Sequence, residues 1–301
     1  MANVKTWIMQ TRPSFLLLVP VCTFTGVAIS LYENKPFEPL YFALAFVGAL
    51  FAHISVNVLN EYSDYRTGID FKTLKTPFSG GSGILPSGLL TPKQALALGL
   101  GSLAVTIAVG IYFIYEYKWD ILPIGLVGVA IILLYTPFLT RLAGVTELIG
   151  PGLGFGLMVL GTYVTQSGDY SVASVLVSVV AGLLIDNLLL INEFPDVEAD
   201  RPAGRKHLPI ILGRAKAAWI YCAICILAYA VIIIGVAIDE LPVWALLGML
   251  TLPLGTRAMM GALKYHDDIA KLIPVLGLNV VVVLLTPALM SVGILVATYA
   301  D

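Results

Sequence analysis

Charged residues are scarce in this chain of 301 residues, where Asp, Glu, Lys and Arg together make up only 12%. Soluble globular domains carry about 25% charged residues, and 58% of this chain is hydrophobic, so the composition indicates an integral membrane protein. The formal net charge is −2, and without a strong basic excess nothing in the composition suggests a nucleic-acid partner.

Cysteine is also scarce, with three residues that all lie inside apolar runs. Cys222 and Cys225 have the spacing of a metal-binding or redox pair. No second ligand pair accompanies them, so we interpret both as small apolar residues on a membrane helix.

Long apolar runs, in contrast, are abundant. A membrane helix needs about 20 mostly apolar residues, and this rule predicts nine spans. The predicted spans are 13–32, 39–60, 94–115, 121–140, 143–167, 170–192, 217–238, 241–262 and 272–299. Pro253 and Arg257 interrupt the eighth span. The first run ends without a small-residue cleavage site, so we expect it to be a true span rather than a signal peptide.

The distribution of Lys and Arg predicts the orientation of these spans. If the N-terminus is cytoplasmic, fifteen of the basic residues fall on the cytoplasmic face and only Lys35 and Lys118 on the opposite face. We therefore expect a multi-pass protein, in the plasma membrane of a prokaryote. The two long loops, 61–93 and 193–216, would then both face the cytoplasm.

The same acidic pattern, Asn-Glu-x-x-Asp, occurs where each of these long loops begins. It starts at Asn60 and again at Asn192, and each copy follows a long apolar run. Its recurrence after four helices predicts an all-α bundle of two related four-helix units plus a ninth helix. We expect residues 1–301 to form this single transmembrane domain.

The first acidic motif continues a polar stripe along the second predicted helix. His53, Asn57, Asn60 and Asp64 are offset by 0, 4, 7 and 11 positions, which places them on one helical face. Exposure of such a stripe to lipid would be costly, so we expect it to face the bundle interior or a water-filled cavity.

In the second motif, Asn192, Asp196 and Asp200 are also spaced by four. Pro195 disfavours helix at Phe194 and favours the start of a new turn. A break followed by a short helix is therefore an alternative to one continuous helix.

Two clusters of carboxylates at one end of a bundle repel each other unless cations lie between them. Mg²⁺ takes oxygen ligands and favours one or two carboxylates together with substrate phosphates. Basic side chains in the same loops suit a bound anion. These are Arg66, Lys72, Lys75, Arg201, Arg205 and Lys206. The pattern predicts a site for a diphosphate ester at the membrane interface, and two solvated loops with ordinary charges are the alternative.

The two motifs resemble the aspartate-rich motifs of the UbiA superfamily of intramembrane aromatic prenyltransferases. Further segments share the resemblance and together cover most of the chain. These are Arg12-Pro13, the glycine-rich stretch 79–88, Gly150-Pro151, Gly161-Thr162-Tyr163 and Ala203-Gly204-Arg205-Lys206. Within the superfamily, the Gly-x-Asp ending of the first motif and these segments look most like the menaquinone-pathway branch, which attaches a polyprenyl chain to dihydroxynaphthoate.

The resemblance implies a magnesium-dependent prenyl transfer from a polyprenyl diphosphate to an aromatic acceptor. The prenyl tail would run between the helices towards the lipid bilayer. The implied metal ligands are Asn60, Asp64, Asn192, Asp196 and Asp200. The resemblance also implies that Lys72, Lys75 and Lys206 neutralise the outer oxygens of the diphosphate. Arg66 of the same loops, with Tyr135 and Arg141 at the end of the fourth predicted helix, could also bind the diphosphate.

The first motif departs from the family pattern at two places. Glu61 stands where the family usually has Asp, and Gly68 stands where its last Asp usually lies. Asp70 follows Asp64 by six residues, so we count it among the catalytic residues but not among the metal ligands.

Several polar residues allow two interpretations. His53, with Asn57 beside it, could contact the acceptor or take its proton, and a hydrogen-bonded core histidine is the alternative. Tyr135 could reach the diphosphate or anchor the helix at the interface. Acids within spans, Glu147 and Asp186, are functional candidates or partners of neighbouring helices.

Two other functions are compatible with the sequence. The acceptor could be a glycerol-phosphate lipid precursor, as for some members of the superfamily. A secondary transporter could also combine a repeat with broken helices, but its site would lie near the midplane of the membrane. The clustering of carboxylates at one interface beside basic loops favours the enzyme.

Overall fold

The fold is entirely helical over the part of the chain that the computed structural model describes, which comprises residues 3–117, 119–148 and 150–300. Lys118, which the charge count assigned to the face opposite the motifs, lies outside these residues. The helices are α1 (Val4–Gln10), α2 (Leu18–Tyr32), α3 (Pro39–Thr67), α4 (Pro92–Tyr117), α5 (Leu122–Leu134), α6 (Val145–Leu148), α7 (Gly150–Ser167), α8 (Val172–Asn192), α9 (Val197–Asp200), α10 (Leu208–Ile211), α11 (Arg214–Ala237), α12 (Leu252–Tyr265) and α13 (Ile269–Ala300).

Within the described residues, eight helical stretches are long and apolar enough to cross a membrane. They are α2 with the preceding 3₁₀ turn, α3, α4, α6 with α7, α8, α11, the 3₁₀ helix Val243–Thr251 with α12, and α13. The chain is therefore an integral, multi-pass membrane protein. Pro253, which interrupts the eighth predicted span, lies in the first turn of α12, where a missing N–H costs no hydrogen bond.

The fourth predicted span, 121–140, differs from the structure in length. Its helix, α5, has 13 residues and is about 20 Å long, less than the ~30 Å of a bilayer core. Pro137 explains the early end, because it disfavours helical backbone at Thr136. The chain then makes a 3₁₀ turn over Leu139–Arg141. Eight long helices and one short helix thus stand where nine spans were predicted.

The helices at the centre of the bundle approach each other closely. At the crossing of α7 and α8, a Cβ atom on Gly152 would lie 2.5 Å from the carbonyl oxygen of Gly182. A Cβ atom on Gly182 would lie 2.7 Å from the carbonyl oxygen of Gly152. Small residues allow membrane helices to pack backbone against backbone. Asp186 accepts a hydrogen bond of 2.8 Å from the Gly152 N–H, so this intramembrane acid pairs with a neighbouring helix.

Both acidic motifs lie at the C-terminal ends of long helices. α3 carries the polar stripe without interruption and continues beyond Asp64 to Thr67. α8 ends at Asn192, and a turn containing Pro195 separates it from α9. The break plus short helix that Pro195 suggested is confirmed.

Candidate active site

A cavity of about 760 Å³ leads from the two acidic motifs into the membrane-spanning part of the bundle. Along α3 its wall extends from Asp64 back to Ala45, which is about 28 Å at 1.5 Å per residue. Mostly apolar residues of α4, α5 and α7 form the other walls. The charged and amide side chains at the motif end, with one histidine, are Arg12, Asn57, Asn60, Glu61, Asp64, Asp70, Asn192, Glu193, Asp196, Asp200, Arg205 and His207. The cavity thus has one charged end and a long apolar remainder.

The first motif faces this cavity from the last turns of α3. Asn60 and Asp64 both line the cavity, and Asp70 joins them from the turn that follows the helix. The Asn60 side-chain N–H donates a 3.2 Å hydrogen bond to the Thr136 hydroxyl, which ties α3 to the segment after α5. The early end of α5 therefore helps to build the site.

The second motif faces the first across the cavity. Asn192, Asp196 and Asp200 all line it. Asn192 Oδ1 and Asp196 Oδ1 are buried and have no hydrogen-bond partner among the described residues. Buried polar atoms are nearly always paired, so these two oxygens fit a bound cation. The oxygen-rich set of carboxylates and amides suits Mg²⁺.

Arg205 joins the two motifs. Its guanidinium contacts the Asp64 carboxylate, and its Nη1 atom lies 3.2 Å from Asp200 Oδ1. Burial lowers the pKa of this guanidinium, but the Asp64 and Asp200 carboxylates outweigh that effect and raise it above its usual range. From the sequence we counted Arg205 among the basic residues of the loops but predicted diphosphate binding by the adjacent Lys206. Lys206 is exposed in the structure.

Burial makes two carboxyl groups of the site, those of Asp70 and Asp196, hard to ionise. It raises the pKa of Asp70 to about 7, assisted by the negative charges of Asp64 and Glu61. It also raises the pKa of Asp196 to about 7, assisted by Asp200. The positive charges of the protein therefore do not balance these acids, which is the condition that favours binding of a divalent cation.

Five residues predicted to bind diphosphate lie on the surface. They are exposed and outside the described wall of the cavity: Arg66, Lys72, Lys75, Arg141 and Lys206. Tyr135, the sixth, is half-buried and lines the cavity. Among the described residues, the arginines in the cavity wall are Arg12 and Arg205.

Glu61, the residue that departs from the family pattern, binds protein donors. It accepts hydrogen bonds of 2.7 Å from Gln10 Nε2 and of 2.6 Å from both the N–H and the hydroxyl of Ser82. Arg12 Nε lies 3.8 Å from Glu61 Oε1. Glu61 therefore fastens α1 and the glycine-rich loop to α3. The glutamate is one methylene longer than aspartate, which gives it reach to these partners.

The glycine-rich loop covers the first motif by means of left-handed backbone. Gly80, Gly81 and Gly83 have φ values of +89°, +69° and +74°. A Cβ atom on Gly81 would lie 3.2 Å from Asp70 Oδ1, so the loop backbone passes directly over that carboxylate. Glycine adopts this conformation at no steric cost.

His53 and Asn57 continue the polar stripe below the motif, and both line the cavity. The His53 ring packs edge-on against Phe155 at a centroid distance of 4.8 Å, and its Nδ1 atom has no hydrogen-bond partner in the described structure. The Asn57 side-chain N–H donates a 3.2 Å hydrogen bond to the Thr11 carbonyl. His53 is therefore placed to face a bound molecule, and its role remains a prediction.

The UbiA prenyltransferase family matches residues 19–281 of this chain. The chain belongs to the UbiA prenyltransferase family. It is therefore an enzyme, a prenyltransferase. A similar relative is the 1,4-dihydroxy-2-naphthoate octaprenyltransferase of Bacillus subtilis, 30% identical over 83% of this chain and 80% of that protein. This similarity supports the resemblance to the menaquinone-pathway branch of the family.

Solved structures share the fold. The apo structure of a UbiA homolog from Aeropyrum pernix K1 has a TM-score of 0.66 and 22% identity, covering 93% of this chain and 97% of that one. A UbiA homolog from Archaeoglobus fulgidus bound to GPP and Mg²⁺ has a TM-score of 0.57 and 14% identity, covering 95% and 99%. The helical arrangement of this UbiA member is thus that of the family.

Proposed function

We propose that this protein transfers a polyprenyl group from an allylic diphosphate to an aromatic quinone precursor of the dihydroxynaphthoate class, with Mg²⁺ as cofactor. One observation carries the proposal: the two acidic motifs face each other across Arg205 at the charged end of a long apolar cavity. The name of the Bacillus subtilis relative supports this acceptor class, and the GPP and Mg²⁺ bound to the Archaeoglobus fulgidus homolog support the donor and the metal.

The two acidic motifs would share the binding of the diphosphate group of the donor. Asp64 and Asn60 would hold metal from α3, and Asp196 and Asp200, with Asn192, would hold it from the opposite side. Mg²⁺, when bound, absorbs the negative charge that develops on the leaving diphosphate.

Positively charged side chains of the protein would add to the neutralisation of the diphosphate by Mg²⁺. Arg205 would turn its guanidinium to the diphosphate oxygens, for which its planar donors are suited. Lys72, Lys75 and Lys206 would approach the outer oxygens from the surface.

The apolar walls of the cavity control what happens to the allylic cation that the reaction forms. When the C1–O bond of the donor breaks, the electron pair leaves with the diphosphate and an allylic cation remains. The ring carbon of the acceptor attacks this cation, and the ring then loses a proton or, for a carboxylated naphthoate, carbon dioxide. Exclusion of water is essential, because water would quench the cation. The loop that Glu61 holds over the site would serve this exclusion.

An acceptor screen tests the proposal. Purified protein with Mg²⁺ and a polyprenyl diphosphate would be given dihydroxynaphthoate, hydroxybenzoate and glycerol-phosphate acceptors, and products would be identified by mass spectrometry. We expect a prenylated naphthoate and released pyrophosphate. Product with the glycerol-phosphate acceptor alone would overturn the acceptor class. Solute uptake into proteoliposomes without any transfer would favour a transporter.

We also propose that the site faces the cytoplasm and that α5 completes a ninth crossing. The excess of Lys and Arg in the loops on the motif side supports this orientation. Nine crossings put the two termini on opposite faces, and eight put them on the same face. Reporters fused to each end of the chain distinguish these outcomes. Two related four-helix units followed by α13 are compatible with nine crossings.

A further inference from the structure

A second cluster of buried ligands lies beside the acidic motifs. Glu147 in α6, Glu193 directly after α8, and His207 directly before α10 are between 0% and 4% exposed. One ligand atom from each of them lies within 4.8 Å of the other two. None of the three is among the residues that would hold Mg²⁺ in the proposed reaction.

These side chains are left largely without hydrogen bonds. Glu147 Oε1 accepts from the Leu208 N–H, and the Glu147 and Glu193 carboxyl groups lie within hydrogen-bonding reach of each other. Apart from that mutual contact, Glu147 Oε2, both oxygens of Glu193 and both ring nitrogens of His207 have no hydrogen-bond partner in the described structure. His207 Nδ1 lies 2.6 Å from Glu193 Oε1 without the alignment of a hydrogen bond. Cis ligands of one metal ion, at about 2.0–2.2 Å each, lie about 3 Å apart. The two atoms are therefore a few tenths of an ångström closer than this and would move slightly apart to bind one ion.

The charge of the cluster requires compensation. Two carboxylates are buried here, and desolvation of an unpaired charge is costly. The neighbouring guanidinium of Arg205 is occupied by Asp64 and Asp200. A cation bound between Glu147, Glu193 and His207 would supply the missing positive charge.

We propose that Glu147, Glu193 and His207 bind a second divalent cation, of the Zn²⁺ or Mn²⁺ class, separate from the catalytic Mg²⁺. The imidazole ligand favours a transition metal over Mg²⁺, and three protein ligands leave a position for water. Since the ligands come from α6, the end of α8 and the start of α10, the ion cross-links the segments on either side of the second motif. Its role is to hold Asp196 and Asp200 in place.

Zinc titration of a variant with a disabled catalytic site tests this proposal. Asp64→Asn combined with Asp196→Asn removes a ligand from each motif. After treatment with EDTA, calorimetry with Zn²⁺ should still detect one tight site per chain, and Zn²⁺ should raise the thermal midpoint. Adding His207→Gln should weaken this site by more than the ~10–100-fold that loss of an outer-shell partner costs. His266→Gln, at a histidine outside the cluster, should change neither reading.

Three results would overturn the proposal. One is the absence of tight Zn²⁺ binding in the double variant, and another is equal binding after His207→Gln. The third is a thermal midpoint that rises at low pH but does not rise with Zn²⁺, which would indicate a proton shared by Glu147 and Glu193. Glu193→Gln preserves the shape of the side chain and repeats the comparison if His207→Gln fails to fold. Because no reading depends on turnover, failure of the proposed prenyl transfer would not affect the outcome.

Discussion

Arg205, from the loop that follows the second acidic motif, contacts Asp64 of the first motif. Asp200 lies 3.2 Å from the same guanidinium. Arg205 therefore sets the distance between α3 and the loop after α8. Its charge neutralises both acids, and under the proposed function it would turn toward a diphosphate.

Replacement of Arg205 should impair catalysis more than replacement of its neighbour. We expect Arg205→Ala to lower kcat/KM by ~10²–10³, as loss of an electrostatic stabiliser typically does. Lys206→Ala is the comparison, because this exposed cation lies outside the cavity wall and would reach only the outer diphosphate oxygens, so we expect a smaller loss. Steady-state kinetics of both variants decide the question, and equal losses would contradict the assignment.

Asp196→Ala should abolish turnover while the protein still inserts and purifies normally. Asp196 Oδ1 is a buried oxygen without a hydrogen-bond partner among the described residues, and the substitution removes a proposed metal ligand. Glu198→Ala, in the same loop with a side chain 79% exposed, should retain activity. Pyrophosphate release by each variant is the measurement. Retention of more than about a tenth of the wild-type rate by Asp196→Ala would argue against metal ligation.

Binding of Mg²⁺ should strengthen as the pH rises through about 7. Burial raises the pKa of both Asp70 and Asp196 to about 7, so in the metal-free fold both hold protons below that pH. Acids whose pKa is raised by folding stabilise the folded state at low pH and lose that contribution as the pH rises through 7. Mg²⁺ should therefore raise the thermal midpoint more at about pH 8 than at about pH 6. A metal effect that is independent of pH would contradict these assignments.

Loss of the Glu61 contacts should release the glycine-rich loop. Glu61→Ala removes the acceptor of three hydrogen bonds from Gln10 and Ser82. Trypsin should then cut at Lys72 and Lys75 faster than in wild type, and the KM for the donor should rise. Glu198→Ala should leave the cleavage rate unchanged. Unaltered cleavage in Glu61→Ala would show that the loop has other anchors.

Gly152→Ala should destabilise the bundle. The new Cβ atom would lie 2.1 Å from Asp186 Oδ2 and 2.5 Å from the Gly182 carbonyl oxygen, both of which belong to α8. Overpacking of this kind costs about 1–3 kcal/mol. Gly154→Ala is the control, since its nearest neighbour, an Ile131 methyl carbon, would lie 3.8 Å away. Thermal unfolding in detergent compares the two variants.

Local patterns predicted much of the fold and part of the site. The helical spacing of His53, Asn57, Asn60 and Asp64 holds because α3 is continuous, and all four line the cavity. The effect of Pro195 could be predicted because a proline acts on its immediate neighbours. The early end of α5 has a similar local cause in Pro137, but hydropathy alone does not register it.

The sequence could not predict which residues contact each other when they lie far apart in the chain. Arg205 and Lys206 are adjacent cations, and only the path of the loop decides which of them faces Asp64. His207 resembles an ordinary loop residue in the sequence, yet it is buried against Glu193. Glu61 belongs to the repeated Asn-Glu-x-x-Asp motif, but it contacts Gln10 of α1, which lies 51 positions earlier in the chain. Contacts over such separations leave no periodic signal.

The cavity with one charged end and a long apolar remainder has a consequence for product release. Under the proposed reaction, pyrophosphate is soluble only in water, and the prenylated ring is soluble only in the bilayer. The two products should therefore depart in different directions, into different phases. Reversal would require both to return at once from separate compartments, so the partition of the products favours the forward direction.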